Sequence, residues 1–138
     1  MSARRFLDTN ILLYSISADP AEVAKRECAI GLLECDDVAL SVQVLQEFYV
    51  QATRATRADR LPHEIAVGLI EAWLRFPVQE MTRGVFLAAL EIKAAHGFSY
   101  WDSAIIAAAL ALCCREVLTE DISHGREVAG VRIVDPFR

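Results

Sequence analysis

The sequence predicts an α/β fold with a mostly parallel central sheet of about five short strands and helices on both faces, arranged in three layers. Short apolar runs alternate with segments of helical periodicity along all 138 residues. No linker rich in Pro, Gly or charge interrupts that alternation. One helix near the C-terminus is apolar on every side, which is typical of a central helix. We therefore expect residues 1–138 to form a single domain.

In the first half of the chain, two strands and three main helices are expected. A short strand at Phe6 and Leu7 leads to Asp8, and a helical turn follows at residues 11–14. Asp19, Pro20 and Glu22 form a helix start, with an acceptor at the N-cap and Pro at the first helical position. The remaining elements of this half are that helix to about residue 35, a strand at 38–41, a helix at 43–56 and a helix from about 62 to 76.

The second half predicts three more strands and two more helices. The strands are placed at 77–79, 116–119 and 131–134, and the helices at 82–95 and from Ser99 onward. Gly97 supplies a left-handed C-cap for the first helix, and Ser99 with Asp102 has the spacing of a capping box. The second helix is expected to stay apolar from Ala104 to Cys114.

Composition and charge exclude several classes of protein. With 54% hydrophobic and 24% charged residues, the chain is not disordered. Its 14 Lys and Arg against 19 Asp and Glu give a net charge of −5, which argues against coating DNA or a membrane through overall charge. We expect no membrane contact and no direct DNA binding by this chain.

Cysteines and apolar runs favour a cytoplasmic location. The four cysteines lack metal-ligand spacing and are interpreted as small buried side chains in a reducing compartment. The N-terminal residues reach Asp8 before an apolar segment develops, unlike a signal peptide. The longest apolar run has 11 residues and is too short to span a bilayer.

Four acidic side chains occupy equivalent positions in this topology. Asp8 ends the first strand, Glu47 lies one turn into the helix after the second, Asp102 lies in the first turn of the apolar helix, and Asp121 follows the fourth strand. Ligands of open parallel sheets gather at the carboxyl ends of the strands. Each acid also has a structural interpretation: an N-cap for Asp8, a capping box for Asp102, an Asx-turn for Asp121 and a solvated face for Glu47.

Two features favour a shared site. Asp102 continues the helical stripe of Ile106, Ala109 and Cys113, which directs its carboxylate toward the buried side. Carboxylates that converge without neighbouring cations repel one another, and a divalent cation is the usual relief. Oxygen ligands without His or Cys select Mg²⁺, with Mn²⁺ as a substitute. The constellation indicates phosphoryl-transfer chemistry on a phosphodiester.

The ordered motifs resemble a PIN-domain ribonuclease, of the VapC toxin type found in VapBC toxin-antitoxin systems. The resemblance covers the chain from the first strand to the last residue and rests on the segments 8–14 (DTNILLY), 46–49 (QEFY), 100–107 (YWDSAIIA), 118–125 (LTEDISHG) and 134–137 (VDPF). It implies a Rossmann-like fold and a Mg²⁺-dependent endoribonuclease. It also implies the toxin of a type II pair, inhibited by a VapB-type antitoxin and acting as a homodimer on RNA.

The resemblance also assigns residues. Asp8, Glu47, Asp102 and Asp121 match the family's catalytic, metal-binding acids. Asn10 and Thr119 match supporting positions, with Thr9 a less certain member. Glu120 precedes Asp121, and the sequence leaves open which of the two faces the metal.

For RNA binding, the helix expected to end near Thr56 would carry Arg54 on the stripe of Glu47, about 10 Å further along, with Arg57 beyond it. An antitoxin contact or a solvated flank explains these arginines equally well. Three other functions remain open: a PIN-type nuclease of RNA processing or repair, an inactive RNA- or partner-binding regulator, and a phosphatase that uses Asp8 as nucleophile.

Overall fold

A computed structural model describes residues 4–138, so the first three residues of the N-terminal stretch compared above with a signal peptide lie outside it. The described chain forms one six-stranded sheet in the order β3-β2-β1-β4-β6-β5. The strands are β1 Arg4–Leu7, β2 Val38–Ser41, β3 Val78–Gln79, β4 Cys114–Leu118, β5 Glu127–Val128 and β6 Val131–Val134. The helices are α1 Thr9–Ser15, α2 Val23–Leu33, α3 Val42–Ala52, α4 His63–Trp73, α5 Arg83–His96 and α6 Tyr100–Ala111, with a 3₁₀ turn at Pro20–Glu22.

Parallel pairing creates the crevice that holds the site. β1 pairs in parallel with β2 on one side and with β4 on the other. Chain connections therefore leave β1 and β4 toward opposite edges of the sheet, which opens a crevice at the carboxyl ends of these two strands. The mostly parallel α/β sheet expected from the sequence is confirmed.

The core surrounds the middle strands. All four residues of β2 are buried, as are the consecutive pairs Phe6–Leu7 and Val117–Leu118. Consecutive buried residues in a strand mean that both faces of the sheet are covered. Helix α6 supplies side chains to both clusters of buried apolar residues, which confirms its central position.

Helix α3 ends earlier than expected, at Ala52 instead of Thr56. The Thr53 hydroxyl donates to the Tyr49 carbonyl at 2.7 Å, and the Leu61 amide donates to the Ala52 carbonyl at 2.8 Å. These bonds satisfy carbonyls that further helical turns would otherwise bond. Arg54 consequently lies in the exposed turn beyond the helix, so its predicted place on the Glu47 stripe is wrong.

The apolar helix α6 also ends early, at Ala111, and Cys114 is the first residue of β4. Cys113 turns the chain with a φ of 57° and is exposed, so the predicted helical stripe through Cys113 is wrong. The turn is required because Cys114 must pair with Arg4 of β1. No helix within residues 4–138 combines the length and apolar character needed to cross a membrane.

The sixth strand, β5, was not expected from the sequence. It comprises only Glu127 and Val128 and pairs antiparallel with β6. Ala129 and Gly130 join the two strands with φ values of 50° and 90°, the conformation of a type I′ turn. Ala-Gly is not a usual signal for that turn, and a two-residue strand has no readable periodicity.

Candidate active site

A cleft of about 270 Å³ opens at the carboxyl ends of β1 and β4. All four acids expected from the sequence line it, although they come from distant parts of the chain. The lining residues are Asp8, Thr9, Asn10, Leu13, Gln43, Glu47, Gln51, Trp101, Asp102, Ile105 and Asp121.

Asp8 is the most buried of the four acids, with 7% of its surface exposed. Its Oδ1 accepts from the Thr9 amide at 2.7 Å as the N-cap of α1, and its Oδ2 accepts from the Thr119 hydroxyl at 2.9 Å. The pKa of Asp8 is raised to about 7, mainly because burial disfavours the charged carboxylate. The two hydrogen bonds lower this pKa, and the negative charges of Glu47 and Asp121 raise it. The N-cap interpretation and the site position therefore both hold for this residue.

Glu47 reaches the cleft from α3 and is hydrogen-bonded to Thr9, the residue that follows Asp8. The Thr9 hydroxyl donates to Glu47 Oε1 at 2.6 Å, so Thr9 bonds Asp8 through its backbone and Glu47 through its side chain. Gln43, one turn earlier on α3, donates its amide to Glu47 Oε2 at 3.4 Å. These contacts hold Glu47 toward the cleft, in contrast to the solvated face considered above.

Asn10 and Thr119 hold Asp121 in place. Asn10 Nδ2 donates to Asp121 Oδ2 at 2.9 Å and to the Thr119 hydroxyl oxygen at 3.1 Å. The same hydroxyl oxygen accepts from the Asp121 amide at 3.0 Å while its proton goes to Asp8. Thr119 is fully buried, so this hydroxyl joins Asp8, Asn10 and Asp121 in one network.

Glu120 is directed to a different set of partners. Its carboxylate accepts from the Tyr14 hydroxyl and pairs with Lys25 Nζ at 2.9 Å. Lys25 also lies 4.9 Å from the centre of the Tyr14 ring. Of the two neighbouring acids, Asp121 lines the cleft and Glu120 anchors the loop to α1 and α2.

Asp102 lies in the first turn of α6 and lines the same cleft as Asp8. Its amide donates to the Ser99 hydroxyl at 3.1 Å, so Ser99 is the N-cap expected from the sequence. Burial raises the pKa of Asp102 against the bond from Ser99, and the charges of Asp121 and Glu47 raise it further. Asp8 and Asp102 thus both respond to the charges of Glu47 and Asp121 across the cleft.

The donor chemistry of the cleft suits a hard cation. Within residues 4–138, no three Asp, Glu, His or Cys side chains are preassembled at metal-binding spacing. The acids that line the cleft nevertheless offer only oxygen, and its described lining contains no His or Cys. Asn10 Oδ1, in the same lining, is buried and lacks a hydrogen-bond partner. The residues fit Mg²⁺ or Mn²⁺ better than Zn²⁺.

The two arginines expected to bind RNA occupy different surroundings. Arg54 is exposed in the turn after α3 and does not line the cleft. Arg57 lies 2.8 Å from Asp59 and lines a cavity of about 220 Å³ that it shares with Asn10 and Tyr14. Only Arg57 therefore lies next to a residue of the carboxylate cleft.

Five lining residues had no assigned role in the sequence analysis: the aliphatic Leu13 and Ile105, and Gln43, Gln51 and Trp101. Gln43 and Gln51 lie four residues before and after Glu47, a spacing that puts all three on one face of α3. That periodicity could have identified both glutamines. Trp101 precedes Asp102, and nothing in its spacing distinguishes an exposed site residue from a core aromatic.

Comparisons with known proteins place this geometry in a family. The PIN domain family matches residues 5–128. Similar solved structures include a toxin-antitoxin complex from Klebsiella pneumoniae, with 20% identity, 98% of each chain covered and a TM-score of 0.71. VapC20 of Mycobacterium tuberculosis, described as a Sarcin-Ricin loop cleaving toxin, has 19% identity over 85% of this chain and 91% of its own, with a TM-score of 0.66.

DNA-bound VapBC from Salmonella typhimurium has 19% identity, 98% and 99% of the two chains covered and a TM-score of 0.67. No curated protein matches the sequence. The structures share the fold with this chain, and the family match runs from β1 to β5 and includes all four acids. The chain belongs to the PIN domain family.

Proposed function

We propose that this chain is a VapC-type toxin, a Mg²⁺-dependent endoribonuclease that hydrolyses phosphodiester bonds in RNA and is inhibited by a VapB-type antitoxin. The observation that carries the proposal is the convergence of Asp8, Glu47, Asp102 and Asp121 in one cleft of a PIN domain. A purely structural role does not explain why four separate elements direct acids to the same place.

In this proposal the protein positions its acids through hydrogen bonds around residues 8–10, where β1 passes into α1. Thr119 and the Thr9 amide fix both oxygens of Asp8, and the Thr9 hydroxyl fixes Glu47. Asn10 orients Asp121 through a hydrogen bond to its carboxylate. Asp102, anchored at the start of α6, completes the set of carboxylates in the cleft.

Asp8, Glu47, Asp102 and Asp121 would hold Mg²⁺, or Mn²⁺ in its place, and the buried Asn10 Oδ1 is a further oxygen donor nearby. The chemistry that Mg²⁺ supplies when bound is a lower pKa for the attacking water and neutralisation of charge on the phosphate. Because the described lining of the cleft contains no His, the protein's own candidates for handling the proton are carboxylates.

Two surfaces suggest the proposed partners, the carboxylate cleft and the exposed apolar side chains of α5. An antitoxin that places an Arg or Lys in the cleft would pair with its carboxylates and exclude the metal. A second copy of the chain could cover the apolar side chains that α5 exposes, namely Phe86, Leu87 and Leu90. These contacts would give a homodimer inhibited by a VapB-type antitoxin, with RNA as the substrate of the free toxin.

We expect the purified protein to cleave RNA endonucleolytically with Mg²⁺ or Mn²⁺ and to stop in EDTA, since oxygen ligands alone cannot activate water sufficiently. Asp8→Asn and Asp102→Asn should abolish cleavage because each removes a charged ligand. Asp36→Asn, at an exposed acid outside the cleft, is the matched control and should cleave like wild type. Cleavage that persists in EDTA, or an active Asp102→Asn variant, would contradict the metal site.

Expression without a partner should arrest bacterial growth, and co-expression of the cognate antitoxin should restore it. The inactive Asp102→Asn variant, produced at the same level, should be harmless because toxicity requires RNA cleavage. The measurement is growth after induction, with the amount of soluble protein determined in each culture. Harmless wild-type protein that cleaves RNA in vitro would favour the processing or repair alternative.

In EDTA the protein should become less stable as the pH rises from about 5 to about 8. The folded state binds a proton on Asp8 up to a pKa of about 7, whereas the unfolded chain releases it near 3.8, so folding is favoured at the lower pH. This residue can contribute at most about 3 kcal/mol across that range. Asp8→Asn should flatten the dependence because an amide does not titrate.

The check is the free energy of unfolding in denaturant, measured across that pH range for both proteins. Added Mg²⁺ should stabilise wild type at high pH and lose its effect at low pH, where protons compete for the carboxylates. Equal pH dependence in wild type and Asp8→Asn would show that Asp8 is not the desolvated acid described here.

A further inference from the structure

A second cavity, of about 310 Å³, lies beside the carboxylate cleft between α3 and the start of α6. Gln43, Glu47, Gln51 and Trp101 line both cavities, so the two spaces are neighbours that share a wall. Gln46 and Val50 belong to the second cavity alone. A strand bound in the cleft would therefore place an adjoining nucleotide within reach of this space.

Trp101 presents a large ring to the second cavity. It is 60% exposed, whereas Trp73, the chain's other tryptophan, is 4% exposed in the core. The Tyr100 ring packs edge-on against Trp101, with centroids 5.0 Å apart and planes at 77°. An indole that packs against a neighbouring ring and still remains this exposed offers a stacking surface for a flat ligand.

Apart from Glu47, the other walls are neutral. Val50 adds apolar surface, and Gln43, Gln46 and Gln51 contribute side-chain amides, each with donor and acceptor groups. Among the residues that the structure describes, no Lys or Arg lines this cavity, and Glu47 on its shared wall repels phosphate. A nucleobase matches such walls because it has apolar faces and hydrogen-bonding edges.

Gln43 links this cavity to the reaction site. It is 6% exposed, and its Nε2 lies 3.3 Å from the Trp101 carbonyl and 3.4 Å from Glu47 Oε2. Its Oε1 is buried and has no hydrogen-bond partner. The residue therefore holds the backbone of Trp101 and the carboxylate of Glu47 at a fixed separation, and an acceptor remains unsatisfied where the two cavities meet.

We propose that this second cavity binds an unpaired nucleobase of the RNA, stacked on Trp101 and bordered by the α3 glutamines, beside the phosphate in the cleft. The inference rests on the proposed ribonuclease function. With a net charge of −5, the chain gains little from general attraction to phosphates, so contacts to bases must supply much of the binding. The subsite favours single-stranded over duplex RNA, because a paired base must first give up its pairing and stacking to reach the indole.

The test compares Trp101→Leu, which keeps apolar bulk, with Trp101→Phe, which keeps an aromatic ring. On a short single-stranded RNA containing all four bases, Trp101→Leu should raise KM roughly 5- to 150-fold, the range that stacking on one base supports. Its kcat should stay near wild type because the contact is present before and during the reaction. Trp101→Phe should recover most of the loss.

Leu74→Ala is the matched control, since Leu74 is an exposed apolar residue that lines neither cavity. If wild type cleaves the RNA and Trp101→Leu has an unchanged KM, the base subsite is overturned while the ribonuclease proposal stands. A variant with unchanged KM but an altered dimer mass or antitoxin affinity would likewise overturn it and assign the surface to a protein partner.

Tryptophan fluorescence separates the two proposals if wild type cleaves no RNA with any divalent metal. The RNA should then still quench Trp101, whereas an abasic ribose-phosphate chain of equal length should not. Trp101→Phe, which retains only the buried Trp73, should show no such quenching. Equal effects of the RNA and the abasic chain on wild type would overturn the base subsite, independently of the failed cleavage.

Discussion

The parallel pairing of β1 with β4 is the constraint on which the candidate site depends. It sets Leu7 beside Leu118, and the Asp8 amide then donates to the Leu118 carbonyl at 3.0 Å. The next residues of each strand, Asp8 and Thr119, are thereby brought into direct hydrogen-bond contact. The helix after β2, the start of α6 and the loop after β4 contribute the other acids at the same edge. A slip in this register would separate Asp8 from Asp121 and dissolve the network.

That arrangement locally destabilises the folded protein. Asp8 is desolvated, Asp102 is partly so, and both lie within the influence of Glu47 and Asp121. The hydroxyls of Thr9 and Thr119 and the amide of Asn10 offset part of the cost by holding individual oxygens. Such local destabilisation is common where a protein is organised to bind a cation or a transition state. The ion pair with Lys25 holds Glu120 away from the cleft, so a fifth negative charge is not added there.

The sequence predicted many of those parts of the molecule that depend on local chemistry. Ser99 and Gly97 cap α6 and α5 as expected. Asp19 caps only the 3₁₀ turn at Pro20–Glu22, and α2 begins at Val23 without a side-chain cap, so the predicted start of that helix at Pro20 is wrong. The four acids follow from the topology of alternating strands and helices, which places strand ends together. The ends of helices were harder to predict from the sequence. Thr53 ends α3 through a hydrogen bond to its own helix, and Cys113 turns the chain after α6 because β4 must pair with β1. The exposed ring of Trp101 depends on how α3 and α6 approach each other, which no local pattern encodes.

The central claim is that the four acids form one divalent-metal site, and anomalous diffraction from crystals soaked in Mn²⁺ tests it most directly. Anomalous scattering locates the ion without assuming its ligands, and Mn²⁺ accepts the oxygen donors that suit Mg²⁺. We expect a strong anomalous peak in the cleft, within bonding distance of carboxylate oxygens from Asp8 and at least one of Glu47, Asp102 and Asp121. The peak should disappear in crystals of Asp8→Asn. A cleft without Mn²⁺ at saturating concentration, or a peak bound by other residues, would contradict the claim.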